Sequence, residues 1–407
     1  MVTTARPLEG LVDLGCLLDG LHDLGDLAVT RARLAAARIP ATNGLTAKKE
    51  LAFQCVQDLE FCHRLDSFLS EYFSQPGRKT IAWPDGILPL LTPLSSTTHP
   101  LEALDAVSAS VTARSNDVAS DLLGRSDTPM LEHCHRFIER EFPAHPSTRT
   151  PTKYDGSASW TEQEVSRAFR APLVHHIDPV FKPTYSLRSA PQPGFRDNQI
   201  GAISYCWYLA IKECLAAELC ALNVSEYDGL PLAFYRDMAK QCYDETRHAC
   251  YFLHTSLRWL SERAFASDAL STALSELDET GTGLPIPVEG NFFETIHVAD
   301  VAERLILMNA KTETIAIGKL KERLAGKLCA ADPVLKLATE VDLQDEISHV
   351  RIGMKWLRFL IPEQRALNEK IADTMLIRGV LMLNTFAAVH SDADVGTMAK
   401  GLLSPFC

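Results

Sequence analysis

Long apolar runs and strand-like alternation are both scarce in this sequence. No uninterrupted apolar segment is long enough to cross a bilayer, so we expect no membrane partner. Alternating apolar and polar residues, the pattern of half-buried β-strands, are also rare, and nearly every periodic segment repeats at helical spacing. The sequence therefore predicts an all-α protein.

Positive charge is in short supply, with 40 Lys and Arg against 52 Asp and Glu and a formal net charge of -12. A protein that binds a nucleic-acid backbone normally carries a basic stripe, so we expect no nucleic-acid partner. Several acidic residues among the first thirty argue against a secretory or transit peptide. Together these features predict a cytoplasmic protein.

Cysteine pairs with C-x-x-C spacing are absent, although the chain has 11 cysteines. Several cysteines lie in apolar, helical stretches, namely Cys214, Cys220, Cys242 and Cys250. A disulfide framework needs paired cysteines and an oxidising compartment. We interpret the cysteines as reduced, buried thiols, with a secreted disulfide framework as the alternative.

Helical periodicity and proline-rich breaks divide the chain into residues 1–190, 191–362 and 363–407. The first region contains predicted helices at residues 8–36, 46–73, 101–123 and 130–142, and we expect it to cover a substrate pocket. The second contains helices at residues 201–223, 232–265, 293–324 and 333–361. The third is expected to place a helix, residues 363–390, against the second region.

Connection lengths in the second region favour a ferritin-like four-helix bundle. The segment at residues 278–291 is too long for a tight helical hairpin, whereas the other two connections are short, as in that fold. The fourth helix has a sharp predicted start, because Asp332 is a good N-cap and Pro333 occupies the first helical position.

Two Glu-x-x-His units stand out, Glu245 with His248 and Glu346 with His349, each directly preceded by an aspartate. Residues three apart on a helix share a face, with Cβ atoms about 5–6 Å apart, and can hold one metal ion from the same side. A single unit is common by chance. Two units on long helices of one predicted bundle indicate a metal site.

A ferritin-like site needs one more carboxylate from each remaining helix, and Glu218 and Glu313 lie on apolar faces there. A buried, unpaired carboxylate is unstable, and cations remove that penalty. Oxygen and imidazole ligands suit iron or manganese. The predicted ligands of two iron ions, with manganese replacing one iron as an alternative, are Glu218, Glu245, His248, Glu313, Glu346 and His349. For each residue alone the alternative is a solvated helix face, and Glu213 and Glu340 are candidate salt-bridge partners.

Groups around the ligands are expected to orient the imidazoles through their other nitrogen. We assign Asp345 to His248 and Asp244 to His349, with surface acids as the alternative. Asp342, one turn before Glu346, and Glu340 are expected to approach the site as well.

Three motifs carry a resemblance to a known family: two glutamates five apart in IKECLAAEL (residues 211–219), DETRH (244–248) and DEISHVRIG (345–353). Residues 198–360 thereby resemble the bacterial ferritin-like family catalogued as domain of unknown function 455. The resemblance implies a di-iron site but no particular substrate. The chain departs from that family at Ala210, where a histidine is usual, and at Gly318, where an acid is usual.

The expected function is that of a di-iron oxidase or monooxygenase that uses O2 on a small organic molecule, by hydroxylation, desaturation, N-oxygenation or C–C cleavage. An external electron donor and a homodimer are compatible with it. The alternatives are an iron-binding or peroxide-detoxifying protein, a non-catalytic metal protein and a tRNA hydroxylase. Tyr205, Tyr208 and Tyr251 are candidates for radical or proton transfer, with core packing the favoured interpretation.

Two further Glu-x-x-His units lie in the first region, Glu60 with His63 and Glu132 with His135. Neither glutamate follows an aspartate directly, and no lone glutamates on apolar neighbouring helices accompany them. We interpret them as residues at the edge of a helical core. A zinc site that also uses Cys62 and Cys134 is the alternative.

Overall fold

The computed structural model describes residues 9–42, 45–78, 80–82, 100–124, 129–142, 199–262 and 299–379. Regular structure in these ranges is helical, as predicted, apart from a β-bridge between Ile81 and Leu230. None of the helices described there is long and apolar enough to span a membrane.

The chain divides into two compact units that exchange short segments. One unit comprises Met1–Ala41, Leu51–Pro151 and Val224–Ala239, and the other comprises Thr42–Glu50, Thr152–Asn223 and Lys240–Cys407. The sequence predicted contiguous regions instead, with a boundary near residue 190 that lies outside the described residues. The segments at residues 42–50 and 224–239 therefore group differently from what chain order alone predicts.

The first unit is built on α1 (Glu9–Arg38), α2 (Leu45–Phe73, from Leu51 onward), α3 (Pro100–Gly124) and α4 (Pro129–Glu141). Its core joins leucines of α1 to aromatic residues of α2 and α4, and the rings of Phe68 and Phe137 stack with centroids 4.5 Å apart. Arg31 and Asp58 form a buried ion pair between α1 and α2. These helices match the predicted ones to within two residues at each end.

The second unit contains most of α5 (Gln199–Glu226) and α6 (Leu232–Glu262), followed by three further long segments. Residues 301–324, named α7, run through α-helical Val301–Leu305, a π-helical segment Ile306–Thr312 and α-helical Glu313–Leu324. Next come the short α8 (Lys327–Ala331), then α9 (Pro333–Leu360) and α10 (Gln364–Thr374), which continues as a π-helix over Met375–Gly379. The π segments and α8 were not predicted.

A capping box begins α7, because the side chain of Asp300 accepts a hydrogen bond from the backbone of Glu303 and the side chain of Glu303 accepts one in return. The sequence placed this helix start at residue 293, and residues 293–298 lie outside the described ranges. The π-helical segment that follows widens the helix just before Glu313, and such segments are frequent at functional sites.

Asp332 caps α9, as predicted. Its Oδ1 accepts hydrogen bonds from the backbone N–H groups of Val334 and Leu335, both at 3.0 Å, and Pro333 occupies the first turn. Its other oxygen contacts Arg258 and the indole N–H of Trp259. The start of the helix that carries Glu346 and His349 is thereby tied to α6.

We expect Asp332→Ala to lower the free energy of unfolding by about 2 kcal/mol or more, because the helix cap and the ion pair with Arg258 are both lost. Asp332→Asn keeps a capping oxygen and should cost less. Burial alone would raise the pKa of Asp332, but Arg258 and the backbone N–H groups outweigh it and lower that pKa. The stabilisation by Asp332 is therefore present at pH values above the pKa of this residue in the unfolded state. It is lost as the pH falls through the pKa of Asp332 in the folded state. Urea unfolding from neutral to acidic pH measures this, and equal stability of Asp332→Ala and wild type at neutral pH would contradict it.

Gly353 on α9 allows a close approach of α7. A Cβ atom placed at Gly353 would lie 2.3 Å from the Cβ of Asn309, inside contact distance. Gly318 on α7 is the opposite case, because a Cβ there meets nothing within 4 Å. The glycine that ends the DEISHVRIG motif is thus explained by helix packing.

These two glycines form a matched pair for substitution by alanine. Gly353→Ala should destabilise the protein by about 1–3 kcal/mol, since the added methyl forces α7 and α9 apart. Gly318→Ala should stabilise it by about 0.5–1 kcal/mol, since alanine is the better helix former. Thermal unfolding of both variants measures the difference. An unchanged melting temperature in Gly353→Ala would contradict the close contact between α7 and α9.

Candidate metal centre

Four helices direct acidic and histidine side chains into one region of the second unit. The glutamates and histidines that meet there are Glu213 on α5, Glu245 and His248 on α6, Glu313 on α7, and Glu346 and His349 on α9. All are buried except Glu213, which is partly buried. The helical spacing of each Glu-x-x-His unit places its two side chains on one face, as predicted.

These side chains form two overlapping groups. One group consists of Glu213, Glu245, His248 and Glu346, and the other of Glu245, Glu313, Glu346 and His349. Within each group, one donor atom per residue lies within 4.8 Å of every other. Because Glu245 and Glu346 belong to both groups, two ions placed side by side can share these carboxylates as bridges.

Both imidazole rings turn Nδ1 toward the carboxylates. Nδ1 of His349 lies 3.2 Å from Glu245 Oε1 and 3.3 Å from Glu346 Oε2. Nδ1 of His248 lies 3.3 Å from Glu245 Oε2. The ring centroids are 6.1 Å apart, so each histidine serves its own group.

The opposite nitrogens face the two aspartates that the sequence assigned to them. Nε2 of His248 lies 3.0 Å from Asp345 Oδ2, and Nε2 of His349 lies 3.5 Å from Asp244 Oδ2. With Nε2 donating its proton to a carboxylate, Nδ1 keeps its lone pair for a metal ion. Each aspartate thus orients the histidine of the other helix.

Cations hold these aspartates in their charged form. Arg247 Nη2 lies 2.9 Å from Asp244 Oδ1 and 2.6 Å from Asp345 Oδ2, and Lys240 also pairs with Asp244. Burial acts to raise the pKa of both aspartates, but the attraction of Lys240 for Asp244 and of Arg247 for Asp345 lowers both pKa values. One arginine therefore serves both Asp–His pairs.

The charges of the aspartates around the histidines are balanced by cations, whereas the charges of the four glutamates are not. Three aspartates (Asp244, Asp345 and Asp342) face Lys240, Arg247 and Arg323, the last with its Nη1 3.8 Å from Asp342. Glu213, Glu245, Glu313 and Glu346 have no such cations among their described contacts. Two divalent cations would neutralise these four carboxylates.

Without a cation Glu313 and Glu346 are under electrostatic strain. Burial raises the pKa of both well above the ordinary value, and repulsion by a neighbouring carboxylate, chiefly Glu346 for Glu313 and Glu245 for Glu346, raises each further. Burial opposes the charged form of His349, yet Glu245 and Asp244 raise its pKa to about 10. Added positive charge is therefore favoured at this place. The buried oxygen and imidazole donors fit iron or manganese.

An amide pair fixes one side of the site. Gln241 Nε2 donates to Glu245 Oε1 at 3.3 Å and to Glu313 Oε1 at 3.2 Å. Asn309, in the π-helical segment of α7, donates to Gln241 Oε1 at 2.6 Å and to the backbone oxygen of His349 at 3.1 Å. The close packing at Gly353 therefore positions an amide that holds two candidate ligands.

No protein-family model, curated protein or solved structure matches this chain. The interpretation of the site therefore depends on its own geometry.

The assignment of Glu218 as a ligand requires correction, because Glu218 belongs to neither group. Glu218 is buried, with 1% of its surface exposed, and its Oε1 lies 2.5 Å from Nζ of Lys48 at the start of α2. Lys48 therefore compensates its charge. Glu213, for which the sequence predicts a salt bridge as one possibility, occupies the position on α5 that faces the site.

The spacing of the glutamates along the sequence could have identified Glu213. Glu313 precedes Glu346 by 33 residues and Glu213 precedes Glu245 by 32, whereas Glu218 precedes Glu245 by only 27. If the two helix pairs are treated as a repeat, equal spacing selects Glu213. The apolar surroundings of Glu218, which favour it as a ligand, suit a buried ion pair equally well.

Other predicted residues are placed outside the site. Tyr251 packs against Leu337, Ala338 and Val341, and the side chains of Tyr205 and Tyr208 lie outside the described residues. Glu340 pairs with Lys336 on α9, at 3.7 Å. The cysteines that the structure describes are free thiols, and Cys214, Cys220 and Cys242 are buried.

The two extra Glu-x-x-His units are described only in part. Glu60 pairs with Arg236, with Oε1 2.6 Å from Nη2, and His63 is exposed. The side chains of Glu132 and His135 lie outside the described residues, whereas Cys134 is buried in the core of the first unit.

Glu213→Gln and Glu218→Gln form a matched pair that tests the corrected assignment. Metal-free wild type should bind two Fe2+ or Mn2+ ions, Glu213→Gln should retain only one at moderate metal concentration, and Glu218→Gln should retain two. Glu218→Gln should instead lower the free energy of unfolding by about 3–5 kcal/mol, since the buried ion pair between Lys48 and Glu218 is lost. Metal analysis after desalting and urea unfolding give the two readouts. Loss of an ion in Glu218→Gln but not in Glu213→Gln would reverse the correction.

Proposed function

We propose that the protein is a ferritin-like, non-heme di-iron enzyme that uses O2 to oxidise a small organic molecule. The observation that carries this proposal is the pair of four-residue groups that share Glu245 and Glu346. Bound as a pair, ferrous ions supply the electrons for reduction of O2. Hydroxylation, desaturation, N-oxygenation and C–C cleavage are the reaction classes that such a site serves.

The side chains divide the work of holding a metal pair. Glu245 and Glu346, which belong to both groups, would be shared by the two ions, and Glu213 and Glu313 would each hold one ion. His248 and His349 would offer Nδ1 to the ions, while Asp345 and Asp244 fix the tautomer through Nε2. Arg247 keeps both aspartates charged, which makes both imidazoles stronger donors.

Burial supports reaction chemistry over simple iron uptake from solvent. His248, His349 and Glu245 have no exposed surface, and Glu313 and Glu346 are buried. A dry site strengthens the fixed electrostatic interactions and protects reactive species from water. Glu213, which is partly buried, is the ligand nearest to solvent.

The partners of this enzyme would be a small-molecule substrate and an external electron donor that restores the ferrous state. The net charge of -12 disfavours a tRNA substrate, for which a basic docking face is needed. Iron storage, peroxide removal and a purely structural metal site use similar ligands, and their reactions distinguish them from an oxygenase.

Anaerobic loading with ferrous iron followed by exposure to air tests the function. We expect the loaded protein to consume O2, faster with its substrate present, and to incorporate oxygen into or withdraw hydrogen from that substrate. Glu346→Ala should abolish the reaction, because it removes a bridge from both ions. Glu340→Gln, on the same helix but paired with Lys336, is the matched control and should react normally.

The competing functions give different outcomes in this assay. Rapid reaction with H2O2 but not with O2 would indicate peroxide removal. Accumulation of many ferric ions per chain would indicate storage. Two bound ions that react with neither oxidant would leave a structural metal site and overturn the proposed oxygenase.

A further inference from the structure

The two metal-binding helices repeat one pattern, with a single chemical difference. On α9, Asp342 precedes Glu346 by four residues, and on α6, Gln241 precedes Glu245 by four residues. Side chains four residues apart share a helix face, so both point toward the ligands. The same position thus holds a carboxylate on one helix and an amide on the other.

Asp342 approaches the metal-facing nitrogen of His248. Its Oδ1 lies 3.6 Å from His248 Nδ1, and the side chain is buried, with 2% exposed. The corresponding distances from that nitrogen are 3.3 Å for Glu245 and 3.8 Å for Glu346, which are both members of the group. Asp342 belongs to neither of the two groups, but its distance from this nitrogen lies between those of Glu245 and Glu346.

Gln241, which takes the place of Asp342 on α6, is not available to bind a metal ion in the same way. Gln241 Oε1 accepts a hydrogen bond from Asn309 at 2.6 Å, and Nε2 is directed to Glu245 and Glu313. Gln241 therefore donates to ligands and offers its oxygen to another residue. The His349 side consequently has fewer carboxylate donors among the described residues.

We propose that Asp342 is a seventh metal ligand, which binds the ion on the His248 side and makes the two metal positions unequal. This inference depends on the metal centre proposed above. The His248-side ion would have five protein ligands, namely Glu213, Glu245, His248, Asp342 and Glu346, and the other ion four. More carboxylate donors bind a hard cation more tightly, so the His248 side fills first. The His349-side ion keeps more open positions for O2 and substrate.

The competing interpretation is that Asp342 serves only as the counter-ion of Arg323. Their closest atoms, Oδ2 and Nη1, are 3.8 Å apart, and the guanidinium also lies over the ring of Phe252 at 5.0 Å. The two carboxylate oxygens have different neighbours, since Oδ1 faces His248 and Oδ2 faces Arg323. One oxygen can therefore bind an ion while the other pairs with the arginine.

Titration of metal-free full-length protein with Mn2+ and with Co2+ tests the inference. Wild type should bind two ions in two distinguishable steps. Asp342→Asn should weaken the tighter step by at least about tenfold, since loss of a group that merely orients a ligand already costs that much. It should leave the weaker step unchanged. The first equivalent of Co2+ should absorb weakly in wild type, as five- or six-coordinate Co2+ does, and more strongly in Asp342→Asn.

Two control variants separate a ligand from a counter-ion. Glu340→Gln, two residues before Asp342 on α9, should bind both ions as wild type does. Arg323→Gln should keep the tighter step if Asp342 is a ligand. Identical losses of stability in Arg323→Gln and Asp342→Asn, with unchanged metal binding in both, would show that Asp342 is only a counter-ion.

The remaining outcomes also decide. If wild type binds two ions and Asp342→Asn titrates identically, the inference fails while the metal centre stands. If wild type binds no ion, both fail. If Asp342→Asn does not fold by circular dichroism, the wild-type Co2+ spectrum decides, because an intense four-coordinate spectrum at the first equivalent would overturn a five-ligand position.

Discussion

The second unit depends on one electrostatic constraint, the concentration of four glutamates in a helical interior where few cations accompany them. Lys240, Arg247 and Arg323 are already matched by Asp244, Asp345 and Asp342. The remaining negative charge must be relieved by protons or by metal ions, and the raised pKa values of Glu313 and Glu346 express this need. Divalent cations relieve it without protonating the ligands, which is why the geometry and the charge balance lead to the same conclusion.

Helix packing positions the residues of the site in several ways. The cap at Asp332 fixes where α9 begins, and so fixes the register that points Asp342, Glu346 and His349 in one direction. Gly353 lets α7 approach closely enough for Asn309 to reach Gln241, which in turn holds two glutamates. The π-helical segment around Asn309 adjusts the rotation of α7 before Glu313. Stability and site geometry therefore depend on the same contacts.

Much of this arrangement could be predicted from the sequence because it is local. Helical periodicity located the helices, the N-cap was evident at Asp332, and the spacing of Glu245, His248, Glu346 and His349 places each pair on one face. The pairing of Asp345 with His248 and of Asp244 with His349 could also be predicted. Glu218 was misassigned because its partner, Lys48, is 170 residues away in sequence, and apolar neighbours do not distinguish a buried ion pair from a metal ligand. The π segments depend on tertiary packing and leave no periodic signal.

The most direct test of the metal centre is anomalous X-ray diffraction from crystals of iron-loaded protein, recorded on both sides of the iron absorption edge. The account predicts two anomalous peaks about 3.5–4 Å apart, a separation usual for carboxylate-bridged pairs. Glu245 and Glu346 should span them, with Glu213 and His248 on one and Glu313 and His349 on the other. A single peak, or peaks away from these side chains, would contradict it.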